Sequence, residues 1–136
     1  MLNFIITDTY EKMSALAAQH IAQELNKKPD LVMALPTGGT PVGLLAEMSR
    51  MAKDGEADFS CALSFNIDEY IPLAKNDPQS YYYFLQQHFY QHANMAEENT
   101  FVPDILAPDL QAECARYERL IQSHGDFDIT VLGIRS

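Results

Sequence analysis

The sequence has few basic residues, and this shortage excludes two classes of partner. Nine Lys and Arg residues stand against 19 Asp and Glu among 136 residues, which gives a formal net charge of −10. A chain of this charge is repelled by the phosphates of nucleic acids and by anionic membrane surfaces. We therefore expect no nucleic acid and no membrane as partner. A small anion would need a local positive potential from backbone groups or a few cations.

Long apolar stretches and targeting signals are also lacking. The first residues, MLNFIITDTYEK, carry no basic segment and only a short apolar run. Nowhere do about 18 apolar residues follow one another, the length that a membrane span needs. These absences predict a soluble, cytoplasmic protein.

Cysteine is scarce, and no metal site is expected. Cys61 and Cys114 have neither a CxxC partner nor a histidine at metal-ligand spacing. We interpret both as buried free thiols in a reducing compartment rather than as a disulfide or a nucleophile. His88 and His92 are four residues apart on a predicted helix, but no carboxylate accompanies them in a recognised motif. A solvated or packed role is favoured over metal binding. The aromatic run of residues 81–84 is likewise interpreted as packing.

Apolar runs of strand length alternate with helical patterns along the chain, and 47% of the residues are hydrophobic. The predicted strands are residues 2–7, 31–35, 62–67, 100–102 and 127–132. The predicted helices are residues 8–26, 40–54, 80–91 and 109–123. This alternation indicates a single, doubly wound α/β domain over residues 1–136, with a mostly parallel sheet and helices on both faces.

Capping residues and apolar spacing set the predicted helix boundaries. Asp8 and Glu11 make a capping-box-like start for the first helix. Thr40 is the predicted N-cap of the second helix, with Pro41 at its first position. The apolar stripe of the first helix consists of Met13, Leu16, Ala17, Ile21 and Leu25.

The stretch PTGGTP, residues 36–41, lies between a predicted strand and a predicted helix. Gly38 and Gly39 can adopt positive φ and let a ligand approach the main chain, and unpaired amides at the helix start face the same space. Such a turn suits an anion such as a sugar phosphate, to which Thr40 could also offer its hydroxyl. The stretch lacks a P-loop lysine and GxGxxG spacing, so nucleotide binding is disfavoured. An ordinary tight turn with an N-cap is the alternative.

The stretch SFNIDEY, residues 64–70, places Asp68 at the carboxyl end of a predicted strand. Ligands of open α/β sheets bind at that edge. An aspartate there can act as a general base, particularly if partial burial raises its pKa. A solvated loop entrance or a helix cap is the alternative.

Four stretches resemble the glucosamine-6-phosphate deaminase (isomerase) family, which is related to the 6-phosphogluconolactonases. They are LPTGGTPVGLL, FNIDEYIPL, DPQSYYYF and AECARYERLI, in this order over nearly the whole chain. The resemblance implies a Rossmann-like α/β fold that converts glucosamine 6-phosphate and water to fructose 6-phosphate and ammonium, without an organic cofactor. It matches Gly38, Gly39 and Thr40 to the sugar-phosphate turn. It matches Asp68 to the aspartate that moves a proton between C2 and C1 of the open sugar through an enolamine.

The resemblance also implies catalytic groups that this sequence does not contain. In the family, a motif like G-x-G-x-D-G-H-x-x-F-N-E-P follows the strand matched here by residues 128–132. The ring-opening histidine, its acidic partners and the phosphate-gripping cations have no counterpart in the printed sequence. We therefore expect a truncated, catalytically incomplete chain with an exposed sheet edge or apolar face. Arg135 and Ser136 are interpreted as a cloning scar or a frame disruption.

Three functions stay open. The chain is half of a deaminase and inactive in this form, or a non-catalytic module that binds sugar phosphate or pairs with a full-length subunit, or a related galactosamine-6-phosphate isomerase. A small phosphosugar is the expected ligand, and the resemblance makes a homo-oligomer an expectation.

Overall fold

The computed structural model describes residues 1–134, and its four strands form one parallel sheet. The strands are β1 (Val32–Leu35), β2 (Leu63–Asn66), β3 (Thr100–Phe101) and β4 (Ile129–Thr130), in the spatial order β3-β2-β1-β4. The α-helices are α1 (Tyr10–Lys27), α2 (Val42–Lys53), α3 (Tyr81–Leu85) and α4 (Leu110–Ser123). A π-helical turn, Gln86–Tyr90, extends α3, and a 3₁₀ turn, Glu97–Asn99, precedes β3. The predicted α/β fold with a parallel sheet is confirmed.

Helices cover both faces of this sheet. On one face, Met33 and Leu35 of β1 belong to the larger core, which α1, α2, α3 and the π-helical turn complete. On the other face, Val32 belongs to a smaller core with Phe65 and with Tyr117 of α4. Successive side chains of a strand point to opposite faces, so neighbouring residues of β1 serve different cores.

The first predicted strand, residues 2–7, is not a strand. Its apolar side chains are largely exposed, from 77% for Leu2 to 94% for Ile6. Within residues 1–134, the sheet ends at β4 and no strand pairs with this segment. An apolar run becomes a strand only where a neighbouring edge accepts and donates its backbone hydrogen bonds, and residues 2–7 form no such bonds with the free side of β4.

Helix α1 begins one residue later than the capping-box pattern predicts. Thr9 is the N-cap, and its hydroxyl accepts from the Lys12 amide at 3.1 Å. Asp8 forms an exposed ion pair with the Lys12 ammonium instead. The prediction of Asp8 as the cap is therefore wrong, because the threonine one position on reaches the first free amides of the helix.

The buried stripe of α1 is rotated from the predicted one. Ile21 and Leu25 are buried as expected, but Met13 and Leu16 are 42% and 43% exposed. The small side chains of Ser14 and Ala18 are buried instead. Gly43 of α2 faces Ser14 so closely that a Cβ there would collide with the serine hydroxyl. Close packing against α2 thus selects the small residues for the interior.

Helix α3 with its π-helical extension, and helix α4, agree with their predicted boundaries. Ser80 caps α3 by accepting from the Tyr83 amide at 3.0 Å, and Asp109 caps α4. Gly125, with φ of 84°, follows the end of α4 as expected for a C-terminal glycine.

The prediction that both cysteines are buried is wrong. Cys61 and Cys114 are free and exposed. The buried residues of α4 include Glu113, Tyr117 and Ile121, which are four apart. Cys114 lies about 100° around the helix from this stripe.

The helices and the last two residues bear on two further expectations. None of the helices within residues 1–134 combines the length and the apolarity that crossing a bilayer requires. Arg135 and Ser136 lie outside the described residues, so the interpretation of these two residues stays an expectation.

Candidate functional site

A cavity of about 670 Å³ lies at the carboxyl ends of β1, β2 and β4, and we call it the site cavity. Residues 36–40 follow β1, Ile67 and Asp68 follow β2, and Leu132 and Gly133 follow β4. The remaining lining comes from the start of α3 and the π-helical turn: Pro78, Gln79, Ser80, Tyr81, Tyr83, Phe84, Gln87 and His88. All four residues singled out from the sequence, Gly38, Gly39, Thr40 and Asp68, line this one cavity. It occupies the edge where ligands of open parallel sheets bind.

The glycine turn presents its backbone to the site cavity. Gly38 has φ of 100°, a conformation that side chains rarely adopt. A Cβ built on Gly38 or Gly39 would meet nothing within 4 Å, so both glycines border open space. Among residues 1–134, the amides of Gly38, Gly39 and Thr40 donate to no protein acceptor. Free amides of this kind before a helix are the usual donors to a bound anion.

Tyr10 of α1 holds this turn, and nothing in the sequence pattern singled it out. Its hydroxyl lies 2.7 Å from the Thr40 carbonyl and 3.3 Å from the Gly39 carbonyl, to which it can donate. The same oxygen accepts from the Gly43 amide at 2.8 Å. No local pattern could have revealed a contact between residues 30 positions apart.

The prediction that Thr40 caps α2 is wrong. The hydroxyl of Tyr10 instead accepts from the Gly43 amide near the start of this helix. Helix α2 begins at Val42, after Pro41 in helical conformation, and has no side-chain cap. Within the described part of the chain, the Thr40 hydroxyl makes no hydrogen bond to protein. This hydroxyl is therefore available to a ligand in the site cavity.

The end of β4 contacts the glycine turn. A Cβ on Gly133 would lie 3.4 Å from the Cβ of Thr40. This is a tight distance, so Gly133 allows the two turns to approach each other closely. Gly133, at the carboxyl end of β4, therefore lies beside the candidate anion site.

Asp68 stands exposed on the wall of the site cavity. Among residues 1–134, no donor forms a hydrogen bond with its carboxylate. Partial desolvation, followed by the nearby charge of Glu69, raises the pKa of Asp68 above its ordinary value of 3.8. A carboxylate with a raised pKa and no competing donor is suited to accept and return a proton.

Glu69 has the opposite environment, and sequence reasoning gave it no role. Its carboxylate accepts from the backbone amides of Tyr81 at 2.7 Å and Tyr82 at 3.0 Å, at the start of α3. It also accepts from the amide of Tyr70 at 2.9 Å. Negative charges are stabilised at helix N-termini, so Glu69 connects the loop after β2 to the start of α3.

Aromatic residues from the start of α3 form part of the wall of the site cavity. Tyr82 is buried as the packing prediction requires, and its hydroxyl lies 2.8 Å from that of Thr100. Tyr81, Tyr83 and Phe84 instead line the site cavity. A hydrogen bond with Tyr70 raises the pKa of Tyr81 to about 12, so this phenol is neutral at physiological pH.

The two histidines have separate positions. His88 lines the site cavity and packs on Phe84 with ring centroids 4.2 Å apart. The His92 Nε2 atom lies 2.9 Å from the Gln87 carbonyl. Among the described residues that line the site cavity there is no lysine or arginine. The backbone amides therefore supply the positive potential in this lining. The lining also contains one imidazole, that of His88.

A buried hydrogen-bond chain supports the end of β2 beneath Asp68. The Tyr90 hydroxyl lies 2.8 Å from the Ser64 hydroxyl and donates to the Asn66 side-chain oxygen at 3.3 Å. Tyr117 donates to the Asn66 carbonyl at 2.8 Å from the other face. Burial raises the pKa of Tyr90, which stays neutral. Both faces of the sheet thus hold the residue that precedes Ile67 and Asp68.

The fold and the site cavity define a parallel α/β protein with a candidate small-molecule site at the carboxyl edge of its sheet. A family model described as glucosamine-6-phosphate isomerases/6-phosphogluconolactonase matches residues 7–134. The chain belongs to this family.

Curated relatives and solved structures agree with this assignment. A glucosamine-6-phosphate deaminase of Thermoanaerobacter sp. (strain X514) is 43% identical over 133 residues, which are 98% of this chain and 53% of that protein. A glucosamine-6-phosphate deaminase of Clostridium perfringens is 42% identical, over 98% of this chain and 55% of that protein.

The fold is shared with two kinds of solved structure. A monomeric glucosamine-6-phosphate deaminase superposes with a TM-score of 0.94 at 39% identity, over 98% of this chain and 56% of that one. A 6-phosphogluconolactonase of Thermotoga maritima, at 22% identity and a TM-score of 0.76, shares the fold over 97% of this chain and 59% of its own. The chain spans about half the length of the curated relatives it matches.

Proposed function

We propose that this chain forms the phosphate-binding and proton-transfer half of a glucosamine-6-phosphate deaminase site. The main observation in support of this proposal is that the free amides of the glycine turn and the carboxylate of Asp68 line one cavity. The names of the relatives supply the substrate class. As part of the same proposal, the protein acts in the cytoplasm on a small phosphosugar and needs no organic cofactor.

The phosphate group would bind at the glycine turn. Gly38, Gly39 and Thr40 offer three amides that no described protein group uses, and Thr40 adds a hydroxyl. No lysine or arginine among the described lining residues assists them. Because the net charge of −10 opposes an anion, we expect weak affinity from the amides alone.

Asp68 would move a proton between two neighbouring carbons of the sugar. A single base on one face of the open chain can remove the C2 proton to give an enolamine and return it at C1. Water then hydrolyses the resulting imine and releases ammonium. The raised pKa of Asp68 lies closer to neutral pH than that of an ordinary aspartate. This favours both the removal of the C2 proton and its return at C1.

The first experiment measures phosphosugar binding and ammonia release by the purified 136-residue chain. NMR titration with glucosamine 6-phosphate should shift the amide signals of residues 38–40, and unphosphorylated glucosamine should leave them unchanged. Tyr10→Phe should weaken the binding at least about fivefold, because it removes the hydroxyl that donates to the turn and accepts from the Gly43 amide, and each such hydrogen bond is worth about 1 kcal/mol. Tyr82→Phe is the control, because it loses a hydroxyl contact with Thr100 and neither residue lines the site cavity.

Ammonia release separates the catalytic and the non-catalytic versions. Any turnover should disappear in Asp68→Asn and persist in Asp30→Asn, whose carboxylate precedes β1 at the opposite edge of the sheet. Unchanged turnover in Asp68→Asn would refute its proton-transfer role. Absence of amide shifts at the glycine turn would refute the phosphate site.

The second candidate function is sugar-phosphate binding without turnover. It is favoured by the composition of the site cavity, whose described lining offers one imidazole and one carboxylate, Asp68, but no cationic side chain. Saturable binding together with no ammonia release would select it. A stronger response to galactosamine 6-phosphate than to glucosamine 6-phosphate would select the isomerase alternative.

A further inference from the structure

His88, in the π-helical turn after α3, lines two neighbouring cavities. One is the site cavity, and the other is a smaller cavity of about 380 Å³ between α2 and this turn. Gln87 is the other residue that lines both. Among the described residues of the site cavity, His88 has the only side chain whose type gains a positive charge between pH 8 and pH 5.

The ring nitrogens of His88 are free. The side chain belongs to a half-buried residue, and among residues 1–134 neither nitrogen forms a hydrogen bond with protein. The nearby His92 differs, because its Nε2 atom lies 2.9 Å from the Gln87 carbonyl. A protonated imidazole has two N–H donors and no acceptor. The free ring of His88 is therefore suited to bind an anion in the site cavity.

Two contacts fix the position of His88. Its ring packs on that of Phe84, another residue of the site cavity, with centroids 4.2 Å apart and an angle of 35° between the planes. An aromatic ring within about 6 Å stabilises a positive charge near its face. The hydroxyl of the buried Ser49 lies 3.0 Å from the His88 carbonyl, to which it can donate. Ser49 belongs to α2, so the helix that follows the glycine turn also holds His88.

We propose that His88 is an anion-binding residue of the site cavity, and that its protonated imidazole attracts the phosphate group of the ligand. A cavity of about 670 Å³ is roughly 10 Å across, which is close to the Debye length at about 0.1 M salt. A charge on the imidazole therefore acts on an anion anywhere in the cavity. The inference rests on the proposed function in one respect, namely that the anion belongs to a phosphosugar.

Other charged and titratable groups face His88 from two sides. In the site cavity, the carboxylate of Asp68 favours protonation of the imidazole, and the phenols of Tyr81 and Tyr83 line the same cavity. In the smaller cavity, the positive charges of Arg50 and Lys53 oppose protonation, as does that of His92 when it is protonated.

The charge of Arg50 is offset by three carboxylates. Its guanidinium forms ion pairs of 2.7–2.9 Å with Glu47, Asp54 and Glu56. Repulsion from this side therefore comes mainly from Lys53, and it is matched by attraction from Asp68 on the other side. Since histidine changes its charge between pH 5 and pH 8, pH dependence of anion binding in this range reports on His88 and His92.

The test is anion binding by the 136-residue chain at pH 6 and pH 8 and constant ionic strength. Inorganic sulfate is the probe, because it keeps its charge over this range, whereas a phosphate ester changes its own. NMR titration follows the amide signals of residues 38–40 and the ring nitrogen signals of His88. We expect sulfate to bind at least about threefold more tightly at pH 6, the effect of one added charge roughly 10 Å or less from a dianion.

Three substitutions separate the role of the charge from that of the ring. His88→Gln removes the charge, so the difference between pH 6 and pH 8 should disappear. His92→Gln is the matched control outside the site cavity, and it should keep the difference. His88→Lys is charged at both pH values, so it should bind sulfate about equally tightly at both. Circular dichroism checks that each variant is folded.

Three results would overturn the inference. They are equal affinity of the parent chain at both pH values, the same pH dependence in His88→Gln as in the parent, or equal loss of this dependence in His88→Gln and His92→Gln. The phosphate site of the proposed function is judged by other signals. Shifts of the His88 ring nitrogens without shifts of residues 38–40 would refute that site alone, and shifts of residues 38–40 that His88→Gln leaves unchanged would refute this inference alone.

Discussion

At the scale of single residues, Asp68 and Glu69 are adjacent in the chain, yet their carboxylates have different surroundings. Glu69 accepts three backbone hydrogen bonds and joins the loop after β2 to α3. Asp68 accepts none among residues 1–134 and lines the site cavity. The division leaves one acid for structure and one for a ligand.

The raised pKa of Asp68 gives a prediction about pH. In the folded chain this group holds its proton to a higher pH than in the unfolded chain. Folded protein therefore binds more protons in that range, and the contribution of Asp68 to stability falls as pH rises through the folded pKa. We expect an NMR titration midpoint above 3.8, and Asp68→Asn at least as stable as the parent at pH 7. A midpoint below 3.8 would contradict the desolvation argument.

Glu69→Ala should destabilise the chain by about 1–3 kcal/mol, because it removes the acceptor of three backbone amides. Urea unfolding monitored by circular dichroism measures the change. Glu118→Ala is the matched control, since among the described residues that carboxylate accepts only from the Gln122 side-chain amide, at 3.4 Å. Equal stability of the two variants would show that the loop after β2 does not depend on Glu69.

At the scale of elements, the sequence pattern was most successful for helices with capping residues. Ser80 and Asp109 cap α3 and α4 at the positions where their side chains predict a helix start. The pattern failed for residues 2–7, because strand formation there depends on a neighbouring edge that no local signal reveals. It also failed at Thr40, where Tyr10 from another helix occupies the capping position.

The start of α1 can be tested by comparing two neighbouring residues. Thr9→Ala should cost about 1 kcal/mol, the usual loss for a hydroxyl N-cap, because the Lys12 amide loses its acceptor. Asp8→Ala removes only an exposed ion pair and should change stability by less than about 0.5 kcal/mol. Thermal unfolding of both variants gives the comparison, and a larger loss for Asp8→Ala would restore the capping-box prediction.

At the scale of the whole molecule, the close approach of α1 and α2 connects the core with the site cavity. Gly43 lies against Ser14 and the ring of Tyr10, and a Cβ there would be 2.8 Å from a Tyr10 ring carbon. The same tyrosine holds the glycine turn. The spacing of the two helices therefore controls the position of the turn.

Gly43→Ala should separate these helices and destabilise the chain by about 1–3 kcal/mol, despite the better helix propensity of alanine. The amide signals of residues 38–40 should move with it. Gly39→Ala is the control for stability, since its Cβ would meet nothing within 4 Å, and it should cost less than about 0.5 kcal/mol. A neutral Gly43→Ala in urea unfolding would contradict the packing argument.

The sequence by itself determined the parallel α/β architecture, most helix boundaries, and the candidate site residues Gly38, Gly39, Thr40 and Asp68. These depend on local signals: apolar runs, capping side chains, and turns at the ends of strands. Only the tertiary structure decided that these residues line one cavity, that Tyr10 and Glu69 position its walls, and that residues 2–7 stay unpaired beside a free edge. The physical reason is that each of these features depends on contacts between residues distant in the chain, which only packing brings together.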